Sequence, residues 1–212
     1  MRSRPISRRA SSVADLSLSH TDTVKILRVA LVAALLLAIG GCSKAEKVAT
    51  VSVPKGFEVP AGVTLTKGGA KLAAGEPASV IYQIADKTRS VITVAVTAVE
   101  KGNIEDFKFF SLDDAAKLAT PFYVSAKVTN VGPAGIGLAP IPLYAHDSNN
   151  TIALPNELVG KFKPCPLGAL PRSFLPGATA KVCLVYLVSK DTTLVSIDLQ
   201  TADQKDPITW TP

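Results

Sequence analysis

Phe122-Tyr123-Val124-Ser125-Ala126-Lys127-Val128-Thr129 is the clearest alternation of apolar and polar residues in the chain. Successive side chains of a β-strand point to opposite faces, so this period of two predicts a strand with one buried face. The residues expected to face the core are Phe122, Val124, Ala126 and Val128. Those expected to face solvent are Tyr123, Ser125, Lys127 and Thr129.

Other β-prone stretches surround this strand at short, regular intervals. They cover residues 79–84, 91–99, 138–145, 151–154, 181–188 and 194–199. The polar residues 146–150 lie between two of them and predict a hairpin turn. Residues 181–188 are apolar on both faces, which indicates a central strand. Residues 64–72 fit either a first edge strand or part of a tether.

Helical character is confined to residues 111–118. Ser111 can cap this helix, and Asp114 follows at the spacing of a capping box. Short strands separated by Gly/Pro turns, with at most one short helix, are typical of two sheets packed face to face. The predicted fold class is therefore all-β, an antiparallel two-sheet β-sandwich.

Several motifs occur in an order that resembles a known family. They are Lys71-Leu72 through Gly75-Glu76-Pro77-Ala78, Val94-Ala95-Val96-Thr97-Ala98-Val99-Glu100-Lys101-Gly102, Thr120-Pro121-Phe122-Tyr123-Val124 running into Val128-Thr129-Asn130-Val131-Gly132, and Phe174-Leu175-Pro176-Gly177 ahead of Cys183-Leu184-Val185-Tyr186. Over roughly residues 64–210 the chain resembles actinobacterial lipoproteins of the DUF4352 type. The resemblance implies an immunoglobulin-like (telokin-like) sandwich and a cell-surface, partner-binding or antigen-like role. It implies no defined biochemical activity.

The amino-terminal part reads as an export signal. Lys25 and Arg28 precede an apolar run of 11 residues, 29–39, and Leu37-Ala38-Ile39-Gly40-Gly41-Cys42 matches a bacterial lipobox. A membrane-spanning helix needs about 20 apolar residues, so a cleaved lipoprotein signal is favoured over an uncleaved anchor. We expect residues 1–41 to be the signal peptide, 42–63 a tether with lipid on Cys42, and 64–212 the sandwich domain. The protein is then expected at the extracytoplasmic face of the cell membrane, with translation starting at Met1 or Val24.

The chain has three cysteines, and lipid on Cys42 leaves an even pair. Cys165 and Cys183 are therefore expected to form a disulfide in an oxidising compartment. By the loop-entropy model such a link stabilises the fold by about 3 kcal/mol. The alternative is two buried free thiols.

The charge pattern argues against a nucleic-acid partner. The net charge of +6 comes mostly from residues 1–41, which hold six Lys/Arg and two Asp/Glu. The remaining lysines are scattered singly, without the basic clusters and stacking aromatics of such interfaces.

After Cys42 the sequence contains few residues that could act in catalysis or bind a metal. His146 is the one histidine there, in a predicted turn where Asp147 and Ser148 point away from it, and there is no methionine. A hydrolase needs a nucleophile, a base and an orienting group, so we expect no catalytic residues. No cofactor and no metal is expected either. Calcium at Asp147, Asn149 and Asn150 is disfavoured because the EF-hand glycine and glutamate are missing.

The long proline-rich stretch 155–176 allows two interpretations. It either packs on the sandwich as a disulfide-linked crossover, which we favour, or presents an apolar ledge to a partner. The candidate partner-binding residues are Phe162, Leu167, Leu170 and Phe174.

Two functions follow from these patterns. The first is a non-enzymatic surface lipoprotein whose immunoglobulin-like domain contacts an unknown protein partner through sheet edges or the 155–176 stretch. The alternative is a carrier of a small ligand or envelope component. A carrier predicts an apolar cavity of a few hundred Å³ between the sheets, whereas a contact module predicts a filled core.

Overall fold

The computed structural model describes residues 51–85, 88–166, 168–202 and 204–212. These residues belong to one compact unit, Ala49–Pro212. The expected signal peptide, Cys42 and the first part of the expected tether lie outside the described residues, as does Leu167. Residues 51–63 carry no strand and contain two turns, closed by Phe57 N–H to Pro54 C=O and Val63 N–H to Pro60 C=O.

Within the described residues, nine strands form two sheets. They are β1 (Lys71–Leu72), β2 (Ala78–Ala85), β3 (Thr88–Lys101), β4 (Thr120–Asn130), β5 (Leu143–Asp147), β6 (Ile152–Ala153), β7 (Thr179–Val188), β8 (Leu194–Leu199) and β9 (Ile208–Trp210). One sheet has the order β1-β9-β8-β5-β6 and the other the order β2-β3-β4-β7. All pairings are antiparallel except that of β1 with β9. The predicted all-β, two-sheet sandwich is confirmed.

The inner faces of the two sheets share one hydrophobic core. Val124, Ala126 and Val128 of β4 lie in it, as their alternation predicts. No buried member of this core exposes more than 8% of its surface, so side chains fill the space between the sheets. The polar tips of two large members are satisfied: the Tyr186 hydroxyl donates to the Leu143 carbonyl, and Trp210 Nε1 donates to the Glu76 carbonyl.

The outer face of β4 differs from the prediction. Tyr123, expected in solvent, is buried, whereas Phe122 is half-buried. Tyr123 belongs to a second, smaller core that lies on the outer surface of the four-stranded sheet. The alternation correctly predicted which residues of β4 share a face. It could not predict that the outer face is covered, because the period of a strand carries no information about a distant segment packed on it.

The expected position of β7 is also wrong. The sheet order places β7 at an edge, next to β4 alone. Val182, Leu184 and Tyr186 point into the main core, whereas Val185 points outward into the second core. The strand is apolar on both faces because residues 154–166 and 168–169, called the flap below, pack over its outer side.

The helix expected at 111–118 is wrong in its length and its cap. The described residues form two 3-10 helices instead, Ile104–Phe107 and Ala116–Leu118. The capping box is formed by Asn103 and Asp106 at the first of them. At the second, Asp113 rather than Ser111 accepts a hydrogen bond from the Ala116 N–H.

Two other strand predictions have clear outcomes, and one strand was not predicted. The hairpin around residues 146–150 is confirmed, since β5 and β6 pair antiparallel across it. Within residues 64–72 only Lys71–Leu72 form a strand. The final strand β9 was not predicted, although Trp210 is one of the largest fully buried side chains.

Candidate functional site

The flap is attached to β7 by a covalent bond and by one asparagine. Cys165 and Cys183 form the predicted disulfide, with their Cα atoms 5.2 Å apart. The Asn156 N–H donates to the Val185 carbonyl at 2.7 Å, and the Leu187 N–H donates to Asn156 Oδ1 at 3.1 Å. Asn156 therefore occupies hydrogen-bonding groups on the free edge of β7.

The predicted partner-binding side chains do not form an exposed ledge. Phe162 is 4% exposed, Leu170 2% and Phe174 1%. Leu170 and Phe174 lie in the main core, and Phe162 lies in the second core. Leu167 lies outside the described residues. The packing interpretation of stretch 155–176 therefore holds for the three described candidates.

The second core is built around the ring of Phe162. Its centroid lies 4.7 Å from that of Phe107, 5.6 Å from Phe110 and 5.5 Å from Tyr123. The contacts with Phe110 and Tyr123 are edge-to-face, a favourable arrangement of aromatic rings. The Tyr123 hydroxyl donates to Asp106 Oδ2 at 2.8 Å, so the 3-10 helix Ile104–Phe107 is tied to the same cluster.

A groove of about 1050 Å³ runs beside the flap. Its walls come from the flap, from the chain leading into β5, from residues 200–202 and from parts of β2, β5 and β7. The lining is rich in proline and mixes apolar with polar groups, and it includes Pro140, Pro142, Pro155, Phe162, Pro166 and Ala169 beside Asn156, Glu157 and Gln200. Both cysteines of the disulfide also line it. The groove is not an enclosed space between the sheets.

Two exposed leucines line this groove. Leu138 is 56% exposed and Leu154 is 69% exposed. Leu138 also has a backbone φ of +59°, a left-handed conformation that a leucine adopts at an energetic cost. Its N–H donates to the Pro171 carbonyl, and a Cβ on the preceding Gly137 would collide with the Arg172 carbonyl. Close contact with residues 171–172 therefore holds Leu138 in a strained, exposed position.

This groove was not predicted from the sequence. The residues on its two sides, Leu138 and Leu154, are 16 positions apart along the chain. Backbone strain at Leu138 leaves no mark in a single sequence, because leucine is not a residue that favours left-handed φ. The prolines at 140, 142, 155 and 166 were the available signal for a rigid, irregular wall.

His146 lies in β5 and has different partners from those considered in the sequence. Its Nδ1 is 3.4 Å from Asp198 Oδ2, and its Nε2 is 2.8 Å from Asn150 Oδ1. Asp198 is buried on β8 and accepts a hydrogen bond from the Ser196 hydroxyl at 2.6 Å. Asp147 and Ser148, the sequence neighbours, are not in this network.

The order of these groups does not suit nucleophilic catalysis. A serine nucleophile needs its hydroxyl hydrogen-bonded to the histidine, with the carboxylate behind the imidazole. Here the carboxylate of Asp198 stands between Ser196 and His146, so the serine hydroxyl donates to the carboxylate rather than to the imidazole. The arrangement is a polar network on the outer face of the five-stranded sheet.

In the turn after β5, the Asp147 carboxylate forms hydrogen bonds within the turn itself. Asp147 Oδ1 accepts hydrogen bonds from the N–H groups of Asn149 and Thr151. The hydrogen bond from Thr151, together with others in the turn, lowers the pKa of the Asp147 carboxyl below its ordinary value. Within the described part of the chain, no group of three or more His, Cys, Asp or Glu residues is placed to hold a metal ion.

Across the same residues, no helix has the length and apolar character to cross a membrane. No protein-family model matches the chain, so the DUF4352 resemblance is not confirmed, and no curated protein matches it either. One solved structure that matches is the 1.5 Å crystal structure of MPT63, a secreted protein from Mycobacterium tuberculosis. The two chains are 10% identical with a TM-score of 0.45, and the match covers 67% of this chain and 96% of MPT63.

Proposed function

We propose that this chain is a non-enzymatic, lipid-anchored protein of the cell envelope whose sandwich domain contacts a protein partner through the groove. The observation that supports this most directly is a large, proline-rich groove lined by two exposed leucines on a domain with a filled core. A strained and solvent-exposed Leu138 is costly to the isolated domain. Contact with a partner would use that side chain.

The sheet edges are poor candidates for the contact. Asn156 covers part of the β7 edge, and Thr66 exchanges hydrogen bonds with Ser79 on the edge of β2. The outer strands of the other sheet, β1 and β6, have two residues each. Short or covered edges protect a sheet against pairing with another chain. The groove is therefore a more favourable contact site for a partner than the sheet edges.

The proposed anchor rests on the sequence around Cys42. A diacylglyceryl group on its sulfur and cleavage before it would hold the domain at the extracytoplasmic face of the membrane. Labelling of the native protein with a palmitate analogue should mark the wild-type chain and not Cys42→Ser. Equal labelling of both chains would contradict the anchor without affecting the groove.

The contact is tested with a photo-crosslinking residue placed at Leu138 or Leu154 in intact cells. We expect both positions to capture the same protein, which a crosslinker at Val195 should not capture, because Val195 is exposed on β8 away from the groove lining. Leu138→Asp should abolish capture from Leu154 while the variant keeps its β-sheet circular dichroism. Equal capture from all three positions would refute the groove as the contact.

A second candidate, a small-ligand carrier, is supported by the size of the groove. Its volume of about 1050 Å³ is comparable to that of ligand sites, which typically hold about 300–1,000 Å³. The filled core argues that such a ligand would lie in the groove rather than between the sheets. Native mass spectrometry of the protein purified from its host would show a bound mass under this function and an unliganded chain under the first.

A further inference from the structure

The two hydrophobic cores divide the chain between a sandwich and its flap. Within the described residues, the main core contains no member from residues 154–169, although it contains Ala153 before them and Leu170 after them. The flap contributes Phe162, Cys165 and the half-buried Leu158 to the second core. The flap is thus a loop with both ends fixed in the main core and its middle packed elsewhere.

Few polar contacts hold the middle of the flap. Apart from apolar packing in the second core, its described attachments to the strands are the two hydrogen bonds of Asn156 and the disulfide from Cys165 to Cys183. A segment with so few hydrogen bonds to its neighbours opens at lower free energy than the strands beneath it. The disulfide is therefore the strongest constraint on the flap.

We propose that the Cys165–Cys183 disulfide is a redox latch, whose reduction releases the flap and dismantles the groove while the sandwich stays folded. Both cysteines line the groove and Cys183 is partly exposed, so a small dithiol reductant can reach the bond from there. This inference concerns the state of the flap and does not depend on which partner or ligand the groove takes.

The chemistry is ordinary thiol–disulfide exchange. One thiolate of the dithiol attacks the sulfur of Cys183, the Cys165–Cys183 bond breaks, and Cys165 leaves as a thiolate that takes a proton. The second thiol of the reductant then displaces Cys183 from the mixed disulfide. The reductant ends as a disulfide, and two electrons and two protons have passed to the two cysteines.

Release of the flap would expose apolar surface at a defined place. Phe107, Tyr123 and Val185 are buried against the flap residues of the second core. Without the flap these side chains meet solvent, and the Val185 carbonyl and Leu187 N–H lose Asn156. The groove loses the wall that carries Leu154, Phe162 and Pro166.

Amide hydrogen exchange on the full mature chain, with and without dithiothreitol, tests the latch. We expect the amides of Asn156 and Leu187, whose hydrogen bonds join the flap to β7, to exchange at least about tenfold faster after reduction, and those of β3 and β4 to change by less than about twofold. Binding of a fluorescent dye specific for exposed apolar surface should rise in parallel. Because the protein is folded before the reductant is added, the test does not require a mutant to fold.

The matched control is the double variant Cys165→Ser/Cys183→Ser. It should exchange like the reduced wild type and should not respond to dithiothreitol. Unchanged exchange at the Asn156 and Leu187 amides on reduction would overturn the proposal. Loss of protection throughout β3 and β4 would also overturn it, since the disulfide would then support the whole fold rather than the flap.

Discussion

The hydroxyl of Ser90 donates a hydrogen bond to the side-chain oxygen of Asn130, 2.8 Å away, and both residues are fully buried. Asn130 ends β4, and its Nδ2 donates to the carbonyls of Ala134 at 2.8 Å and Phe174 at 3.2 Å. One amide side chain therefore joins β3, β4 and the chain entering β7. Every one of its polar atoms is used, as burial requires.

Replacement of this asparagine should be among the most damaging single changes in the domain. Asn130→Ala leaves the Ala134 and Phe174 carbonyls without this donor and removes an acceptor from Ser90, so we expect a loss of about 3 kcal/mol in the free energy of unfolding. Urea unfolding followed by circular dichroism measures it. The neighbouring Thr129→Ala, whose hydroxyl bond is exposed, should cost less than about 0.5 kcal/mol. Equal losses for the two variants would refute the role of Asn130.

Relief of backbone strain at Leu138 should stabilise the protein. Leu138→Gly places a residue that accepts left-handed φ at +59°, so we expect a gain of about 0.5–1 kcal/mol. The same change at Leu154, which does not have a positive φ, should destabilise or be neutral. Thermal unfolding of both variants checks the difference in sign. If Leu138→Gly also weakens partner capture, the exposed Leu138 side chain serves binding at a cost to stability.

The turn at Asp147 should make stability depend on acid pH. Because hydrogen bonds from the turn lower the pKa of Asp147 in the folded state, the stability it contributes is complete above its ordinary pKa of 3.8 and is lost as pH falls through the lower folded value. Asp147→Asn keeps an oxygen acceptor for the Asn149 and Thr151 N–H groups but cannot be protonated. Near neutral pH we expect this variant to unfold at the same urea concentration as the wild type, because a neutral oxygen can accept both hydrogen bonds. Below pH 3.8 its free energy of unfolding should decline less steeply than that of the wild type. An identical decline in the two proteins would contradict the assignment to Asp147.

Buried tyrosines should set the alkaline limit of the fold. Burial raises the pKa of Tyr186, Tyr82 and Tyr123, and the hydrogen bond to Asp106 raises the pKa of Tyr123 further. Stability from these groups is complete below the ordinary tyrosine pKa of 10.0 and falls as pH rises above it, because the unfolded chain ionises first. Phenolate absorbance from these residues should therefore appear together with loss of circular dichroism. Tyr123→Phe should reduce the alkaline dependence, and ionisation of all tyrosines in a still-folded protein would contradict the prediction.

The sheets were predictable because their information is local. The alternation in β4 follows from residues 122–129 alone, and the β5–β6 hairpin follows from the polar turn between two apolar stretches. The disulfide was predictable from cysteine number, since assigning Cys42 to the expected lipid anchor left a single possible pairing. The 3-10 helices were not, because Ser111 and Asp114 matched a capping pattern that Asn103 and Asp106 satisfy in the fold.

The candidate site was much less predictable than the fold. Phe162, Leu170 and Phe174 were singled out correctly as apolar residues of a rigid segment, yet each is buried rather than exposed. Which side of a loop packs on a sheet depends on the shape of the surface beneath it. For Phe162 that surface is formed by Phe107 and Tyr123, which come from distant parts of the chain. Leu138, a left-handed residue, had no local signal at all.

The amino-acid sequence by itself determined the two-sheet architecture and the cysteine pairing, because these depend on residue type and on spacing over a few positions. Tertiary structure alone decided that β7 lies at an edge, that Tyr123 is covered, and that Leu138 and Leu154 line one groove. Those features arise where segments far apart in the chain pack against the same apolar surface. Which segment covers which surface is set by packing in three dimensions.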